Sequence, residues 1–384
     1  MKKRIFSLVL VAILLASTLL SGCGSGNDQP SGGGADDVIK FGVIGPITGD
    51  YSQYGGSVEE GSKLAAEEIN AAGGIDGTMI EIVAYDSKGD GTEAVNAYNR
   101  LRDQDGITAL IGATFSGETL AIKEIVIEDG MPVLTPTATN EQVTLNAPNV
   151  FRACYLDPQQ GSTAAIFSMD TLGATKAAVL YNTEDPYSEG LAVAFRDTFA
   201  QNGTVTNYEG YTVNDMDFRS ILTVIQAQGP DVIFLPDYTA KVGVILDQID
   251  ELNMDVICIG GDGWDGIETD YAEVAEGHYF VNHYAKSDPS DLVQNFISAY
   301  EAKWGKTPNA LAALGYDATF IMVEAIKSAG STDAEAIVTA LAATDMDAVT
   351  GHITFDANGD PQKSISIIQI VDGDHFLAGK VEVD

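Results

Sequence analysis

Short apolar runs alternate along the chain with longer stretches in which apolar residues recur roughly every three or four positions, the spacing of one helix face. The runs lie at 38–44, 79–85, 106–111, 132–134, 149–154, 177–181, 205–211, 232–235, 256–259, 278–282, 352–355, 364–371 and 376–381. Most are rich in valine and isoleucine and bounded by glycine, proline or asparagine, so they predict buried strands. Helices are predicted after Gly56, where Val58, Ala65 and Ile69 share a face, and from Ser116 onward. Others are predicted over 92–105, 189–200, 218–228, 241–252, 292–302, 310–328 and 333–341. Strands and helices in this alternation make parallel sheets covered by helices on both faces. The alternation pauses at 155–161, in Tyr155-Leu-Asp-Pro-Gln-Gln-Gly161, and then restarts. The expected fold class is therefore α/β, with two doubly wound lobes joined by a hinge of several crossing segments. The first lobe is taken as 37–156 and 284–363, the second as 157–283 and 364–384.

The N-terminal residues change the picture of what folds. Lys2, Lys3 and Arg4 precede an apolar segment over 5–20, and Leu20-Ser21-Gly22-Cys23 follows. This resembles a bacterial lipoprotein signal, which implies removal of residues 1–22 and diacylation of Cys23. Residues 23–36 are rich in glycine, serine, aspartate and proline, the composition of a flexible tether. The expected location is extracytoplasmic, anchored at the outer face of the cell membrane. About 350 residues remain to fold, enough for two domains.

Charge and cysteine usage narrow the partners. The chain has 56 acidic against 20 basic residues, a formal net charge of −36. Such a surface repels nucleic acid, and that class of partner is set aside. Cys23 is accounted for by the anchor. Cys154 and Cys258 lie in apolar runs and read as free buried thiols, with a bridge between them left open.

The sequence holds no P-loop, no dinucleotide fingerprint and no nucleophile elbow. His278, His283, His352 and His375 have no metal spacing with one another or with cysteine. Asp356-Ala-Asn-Gly-Asp360 lacks the glutamate that completes a calcium loop and reads as a turn. No catalytic residue, metal or cofactor is expected. What remains is a set of polar and aromatic residues just past predicted strands: Tyr54, Ser116, Thr137, Thr139, Tyr187, Tyr238 and Asp262. In a two-lobed α/β protein such positions converge on one cleft. Ser116 at a helix start, with the hydroxyls after 132–134, suits a carboxylate. Asp262 suits an ammonium through a charge-assisted hydrogen bond, and tyrosines suit walls with polar tips. That is a site for a zwitterion, with an α-amino acid as its natural occupant. An ordinary cap at Ser116 and an ordinary turn at 137–139 remain open as plainer readings.

Several segments together resemble the branched-chain (hydrophobic) amino acid binding proteins of ABC importers. They are Ile44-Gly-Pro-Ile-Thr-Gly49, Ala66-Glu-Glu-Ile-Asn-Ala-Ala-Gly-Gly-Ile75, Tyr85-Asp-Ser-Lys-Gly-Asp90, Ile111-Gly-Ala-Thr-Phe-Ser-Gly-Glu-Thr119, Thr135-Pro-Thr-Ala-Thr-Asn140, Asn149-Val-Phe-Arg152, Gly260-Gly-Asp-Gly-Trp264 and Ala313-Leu-Gly-Tyr-Asp317. The resemblance implies the type I periplasmic binding protein fold, no enzymatic activity, and a monomer that delivers its ligand to a membrane permease. By position it implies that Ser116 and Thr139, with backbone around Phe115 and Thr137, clamp a carboxylate. It implies that Asp262, where the family often has glutamate, binds the amino group, with Asp157 as a further acid. Tyr54 would line the side-chain pocket, and Tyr187 and Tyr238 would close over it from the second lobe. Phe115 stands where some relatives carry a cysteine of a small disulfide, which makes this wall bulkier. The alternatives are a binder of an amide or another small carboxylate, or a sensor built on the same fold.

Overall fold

The computed structural model describes residues 38–381. The expected signal peptide, Cys23 and tether lie outside the described residues. The first sheet is built from β1 (Ile39–Gly45), α1 (Ser52–Ala71), β2 (Ile80–Asp86), α2 (Gly91–Arg100), β3 (Ala109–Gly112), α3 (Ser116–Asp129), β4 (Val133–Thr135) and β5 (Val150–Arg152). Its strands run parallel in the order β2-β1-β3-β4-β5. Phe41, Val43, Ile44, Leu110, Ile111, Val133 and Leu134 are buried, because helices cover both faces of a parallel sheet.

The second sheet follows with α4 (Asp157–Asp170), β6 (Lys176–Asn182), α5 (Pro186–Phe199), β7 (Thr204–Tyr211), α6 (Arg219–Gln228), β8 (Val232–Phe234), α7 (Thr239–Glu251), β9 (Ile257–Gly260), α8 (Glu268–Ala275) and β10 (Tyr279–Asn282). The chain then forms α9 (Asp291–Trp304), α10 (Ala310–Ala329) and α11 (Ala334–Ala342), and a two-stranded ribbon of β11 (Asp345–Ala348) and β12 (Gly351–Thr354). It ends in β13 (Ile365–Val371) and β14 (Asp374–Val381), which join the second sheet antiparallel. That sheet has the order β14-β13-β10-β9-β8-β6-β7. α10 packs on α1 of the first lobe. A Cβ on Gly61 would stand 2.0 Å from the Ala312 carbonyl oxygen, and one on Gly315 would stand 2.5 Å from that of Val58. Glycine at both positions lets the two helices touch backbone to backbone.

Five elements differ from the sequence reading. α4 begins inside the segment taken as a plain crossing, and α8 and β11 were not expected. Tyr54, expected in a loop, lies in the first turns of α1. The helix expected over 92–105 stays α-helical to Arg100 and ends in a π-turn over Leu101–Asp105. Cys154 and Cys258 are free and buried. Residues 356–360 form the expected turn, with Asp356 Oδ1 accepting the amides of Asn358 at 2.8 Å and Asp360 at 3.0 Å. Among the described residues, no group of three or more His, Cys, Asp or Glu could hold a metal ion.

Candidate ligand-binding cleft

Parallel strands deliver their carboxyl ends to one side of a sheet. Ser116 opens α3 after β3, and Thr137 and Thr139 follow β4. Tyr187 follows β6, Tyr238 follows β8 and Asp262 follows β9. The structure brings Tyr54, Phe115, Ser116 and Thr137 from the first lobe against Tyr187, Tyr238 and Asp262 from the second, around a cavity of about 20 Å³. Thr114, Gly263 and Leu311 complete its lining. The space is enough for about one water molecule.

The first lobe presents donors. The N-cap of α3 is Phe115, and Ser116 is the first helical residue. The Phe115 N–H is taken by the Glu118 carboxylate at 3.1 Å. The amides of Ser116 and Gly117 have no acceptor within the helix and form its partly positive end. Ser116 Oγ accepts the Asn140 N–H at 3.2 Å, which leaves its own proton to donate. Thr137 spends its proton on the Thr114 carbonyl at 2.6 Å. The loop after β4 is held from beneath by Arg152, which donates to the carbonyls of Ala138 and Asn140, each at 3.0 Å.

The second lobe presents an acid held by neutral donors. Asp262 Oδ1 accepts the Tyr187 hydroxyl at 2.9 Å and the Gln160 amide at 3.1 Å. Oδ2 meets His283 Nε2 at 2.8 Å. Burial holds the His283 imidazole below its ordinary pKa, so it is neutral at physiological pH and Nε2–H is the donor. Asp157 and Thr139 stand behind the lining. Asp157 is 1% exposed, and neither its carboxylate oxygens nor the Thr139 hydroxyl has a hydrogen-bond partner. Burial pushes the Asp157 carboxyl well above the usual carboxylate range, and the Asp262 charge adds to the rise.

Aromatic rings fill the centre. Tyr238 stacks between Phe115, with ring centroids 4.3 Å apart, and Tyr187, at 5.1 Å. Tyr54 and Tyr51 meet Tyr238 edge-on at 5.1 and 5.6 Å, the offset geometry that ring quadrupoles favour. The Tyr54 hydroxyl spans the lobes, donating to the Gly263 carbonyl at 2.6 Å and accepting the Thr239 N–H at 2.8 Å. Asn140 likewise donates to the Pro186 carbonyl at 2.7 Å. The lobes are therefore closed on each other.

This architecture is shared with known proteins. The sequence profile of the periplasmic binding proteins matches residues 38–374. The chain belongs to that family. Among periplasmic binding proteins it is similar to the leucine-, isoleucine-, valine-, threonine- and alanine-binding protein of Pseudomonas aeruginosa, with 30% identity over 85% of this chain and 88% of that protein. The leucine binding protein LivK of Thermotoga maritima superposes with a TM-score of 0.85 at 34% identity, covering 90% of this chain and 99% of that one. LivJ of Streptococcus pneumoniae, solved with isoleucine, superposes with a TM-score of 0.85 at 30% identity over 91% and 99%. Members of the family bind substrates for transport and are not enzymes.

Sequence reasoning missed Gln160, His283 and Leu311 in this periplasmic binding protein. Gln160 lay in the segment read as a crossing. His283 stands just past β10, the same position relative to a strand that singled out Asp262, and that signal was available. A further buried acid, Glu118, accepts the Ser87 hydroxyl at 2.5 Å. Burial raises it to about 7, and burial raises Asp237 and Asp265 to about 6. These folded-state values exceed the unfolded ones, so their contribution is full below about pH 4 and is lost as pH rises through about 6 to 7. The ligand-free protein is expected to be more stable at about pH 5 than at about pH 7.5, by about 2 kcal/mol from Glu118 alone. Thermal unfolding across that range checks this, and Glu118→Gln should flatten the slope. A profile that rises with pH would refute it.

Proposed function

We propose that this periplasmic binding protein captures an α-amino acid between its lobes and delivers it to the permease of an ABC importer. The observation that carries this reading is the opposition of complementary ends across the ring-lined cavity. The α3 start with Ser116 stands on one lobe and Asp262 on the other, with the unpartnered Asp157 oxygens behind. The amino acid carboxylate takes the Ser116 hydroxyl and the first-turn amides, with Thr137 and Thr139 beside it. The ammonium takes Asp262 and Asp157. Tyr54, Phe115, Tyr187 and Tyr238 wall the side chain. The relatives named for leucine, isoleucine, valine, threonine and alanine support an aliphatic guest. The cavity is smaller than any amino acid, so capture requires the Phe115 and Tyr238 rings to part. They sit on different lobes, and hinge opening parts them. The lobes that move are 37–156 with 284–363 and 157–283 with 364–384. The chain acts as a monomer, held near its permease by a lipid on Cys23.

The test is a thermal-shift screen of the mature chain carrying Cys23→Ser, unfolded and refolded to remove any guest. The panel holds the twenty amino acids, short amides and aromatic carboxylates. A guest at about 100 times its Kd adds about 2.7 kcal/mol, and small or branched aliphatic amino acids are expected to give the shift. A shift from carboxylates that lack an amino group, with none from any amino acid, would overturn the reading.

A further inference from the structure

The ends of β9 and β10 lie side by side, with Tyr279 paired to Ile259 and Phe280 to Gly260. That register carries Asp262, just beyond β9, to His283, just beyond β10. Their side chains meet at 2.8 Å between Oδ2 and Nε2. The imidazole is fully buried. One face stacks on Tyr155, with ring centroids 3.8 Å apart and planes at 21°. Tyr155 lies in the segment that joins β5 of the first sheet to α4, and His283 in the segment that joins β10 of the second sheet to α9. The stacked rings thus clip two crossings between the lobes together. His283 Nδ1 has no partner, so the hydrogen bond made by the ring goes to Asp262.

The chemistry of the donor matters. A lysine or arginine beside Asp262 would fix the carboxylate and also cancel its charge. His283, Tyr187 and Gln160 fix it with neutral N–H and O–H groups, and the negative charge stays available for a cation. We infer that His283 is a positioning residue, which aims the Asp262 carboxylate into the cleft without neutralising it and fixes that aim to the crossings about which the lobes turn. The inference rests on the amino-acid reading above.

Calorimetric titration with L-leucine and L-alanine tests it in five proteins: the wild type, His283→Phe, His283→Gln, Asp262→Asn, and Asp262→Asn with His283→Phe. Phenylalanine keeps a ring on Tyr155 and removes the donor. Glutamine returns an amide nitrogen near the place of Nε2. His283→Phe is expected to weaken binding about 10- to 100-fold, the loss of one charge-assisted hydrogen bond. His283→Gln should restore most of the affinity, and in the Asp262→Asn background His283→Phe should change it less than about threefold. His283→Met is the second donorless variant should the phenylalanine variant fail to fold. Equal losses in both backgrounds, or a glutamine variant as weak as the phenylalanine one, would overturn the inference while leaving the amino-acid reading intact. An Asp262→Asn variant that binds as well as wild type would likewise overturn the inference alone, whereas a wild type that binds neither amino acid would bring down that reading and this inference together.

Discussion

Replacing Arg152 by methionine is expected to remove about 3–5 kcal/mol of folding stability, the cost of stranding one half of a buried ion pair. Arg152 is fully buried, and its Nε lies 2.6 Å from Asp360 Oδ1. Its other two nitrogens are both used: Nη1 donates to the Ala138 and Asn140 carbonyls, and Nη2 donates to the Thr144 hydroxyl at 2.7 Å. Methionine can occupy the volume of the stem, so the loss measures charge and hydrogen bonding more than cavity formation. Adding Asp360→Asn should recover part of it, because the stranded charge is then gone. Denaturant unfolding of the single and double variants, at unchanged m-value, reads both numbers. A loss under about 1 kcal/mol for Arg152→Met would show that the pair is not what ties the 356–360 turn to the first sheet. Because Arg152 also holds the loop that carries Thr137 and Thr139, the folded fraction should bind amino acid more weakly as well.

Much of this architecture was legible because parallel strands leave a plain trace. Runs such as Val232–Phe234 are buried on both faces, so they appear as unbroken apolar segments between amphipathic helices. The cleft was legible for a related reason: residues just past such strands share one side of the sheet. Where the reading failed, a local signal had two meanings. Pro158 and Gly161 suggested a crossing loop, yet proline is tolerated in a first helical turn, and Gln159 caps α4 by accepting the Leu156 N–H at 3.0 Å. Gly161 is there for space, since a Cβ would come within 2.7 Å of the Leu191 carbonyl oxygen on α5. Tyr54 followed a Gly-rich loop signal into a helix. The pairing of Asp262 with His283 could not be read from spacing at all. It depends on β9 and β10 being neighbours in the sheet, a fact of strand order.

On the amino-acid reading, capture of the guest is expected to release up to one proton at any pH where the free-state Asp157 carboxyl is still protonated, and Asp157 is its source. In the free protein burial holds this carboxyl well above the usual carboxylate range, so it carries a proton where ordinary aspartates do not. The Thr139 hydroxyl and the Arg152 charge favour its charged form, and burial outweighs both. An ammonium placed against it favours that form further, and draws the pKa down. Because the protonated acid must ionise to bind, wild-type affinity should rise with pH until the free-state carboxyl ionises unaided. Asp157→Asn should make affinity nearly independent of pH in that range and abolish the proton release. The two acids are thereby separable. Asp262 is already held by Tyr187, Gln160 and His283, so Asp262→Asn removes a fixed negative partner. It should cost about 2–5 kcal/mol of binding, with the Asp157-linked pH dependence intact. Calorimetry in buffers of different ionisation enthalpy counts the protons directly. Wild-type binding with no proton released, and with an affinity that Asp157→Asn leaves unchanged, would remove Asp157 from the amino-group site and leave Asp262 as the acid that holds it.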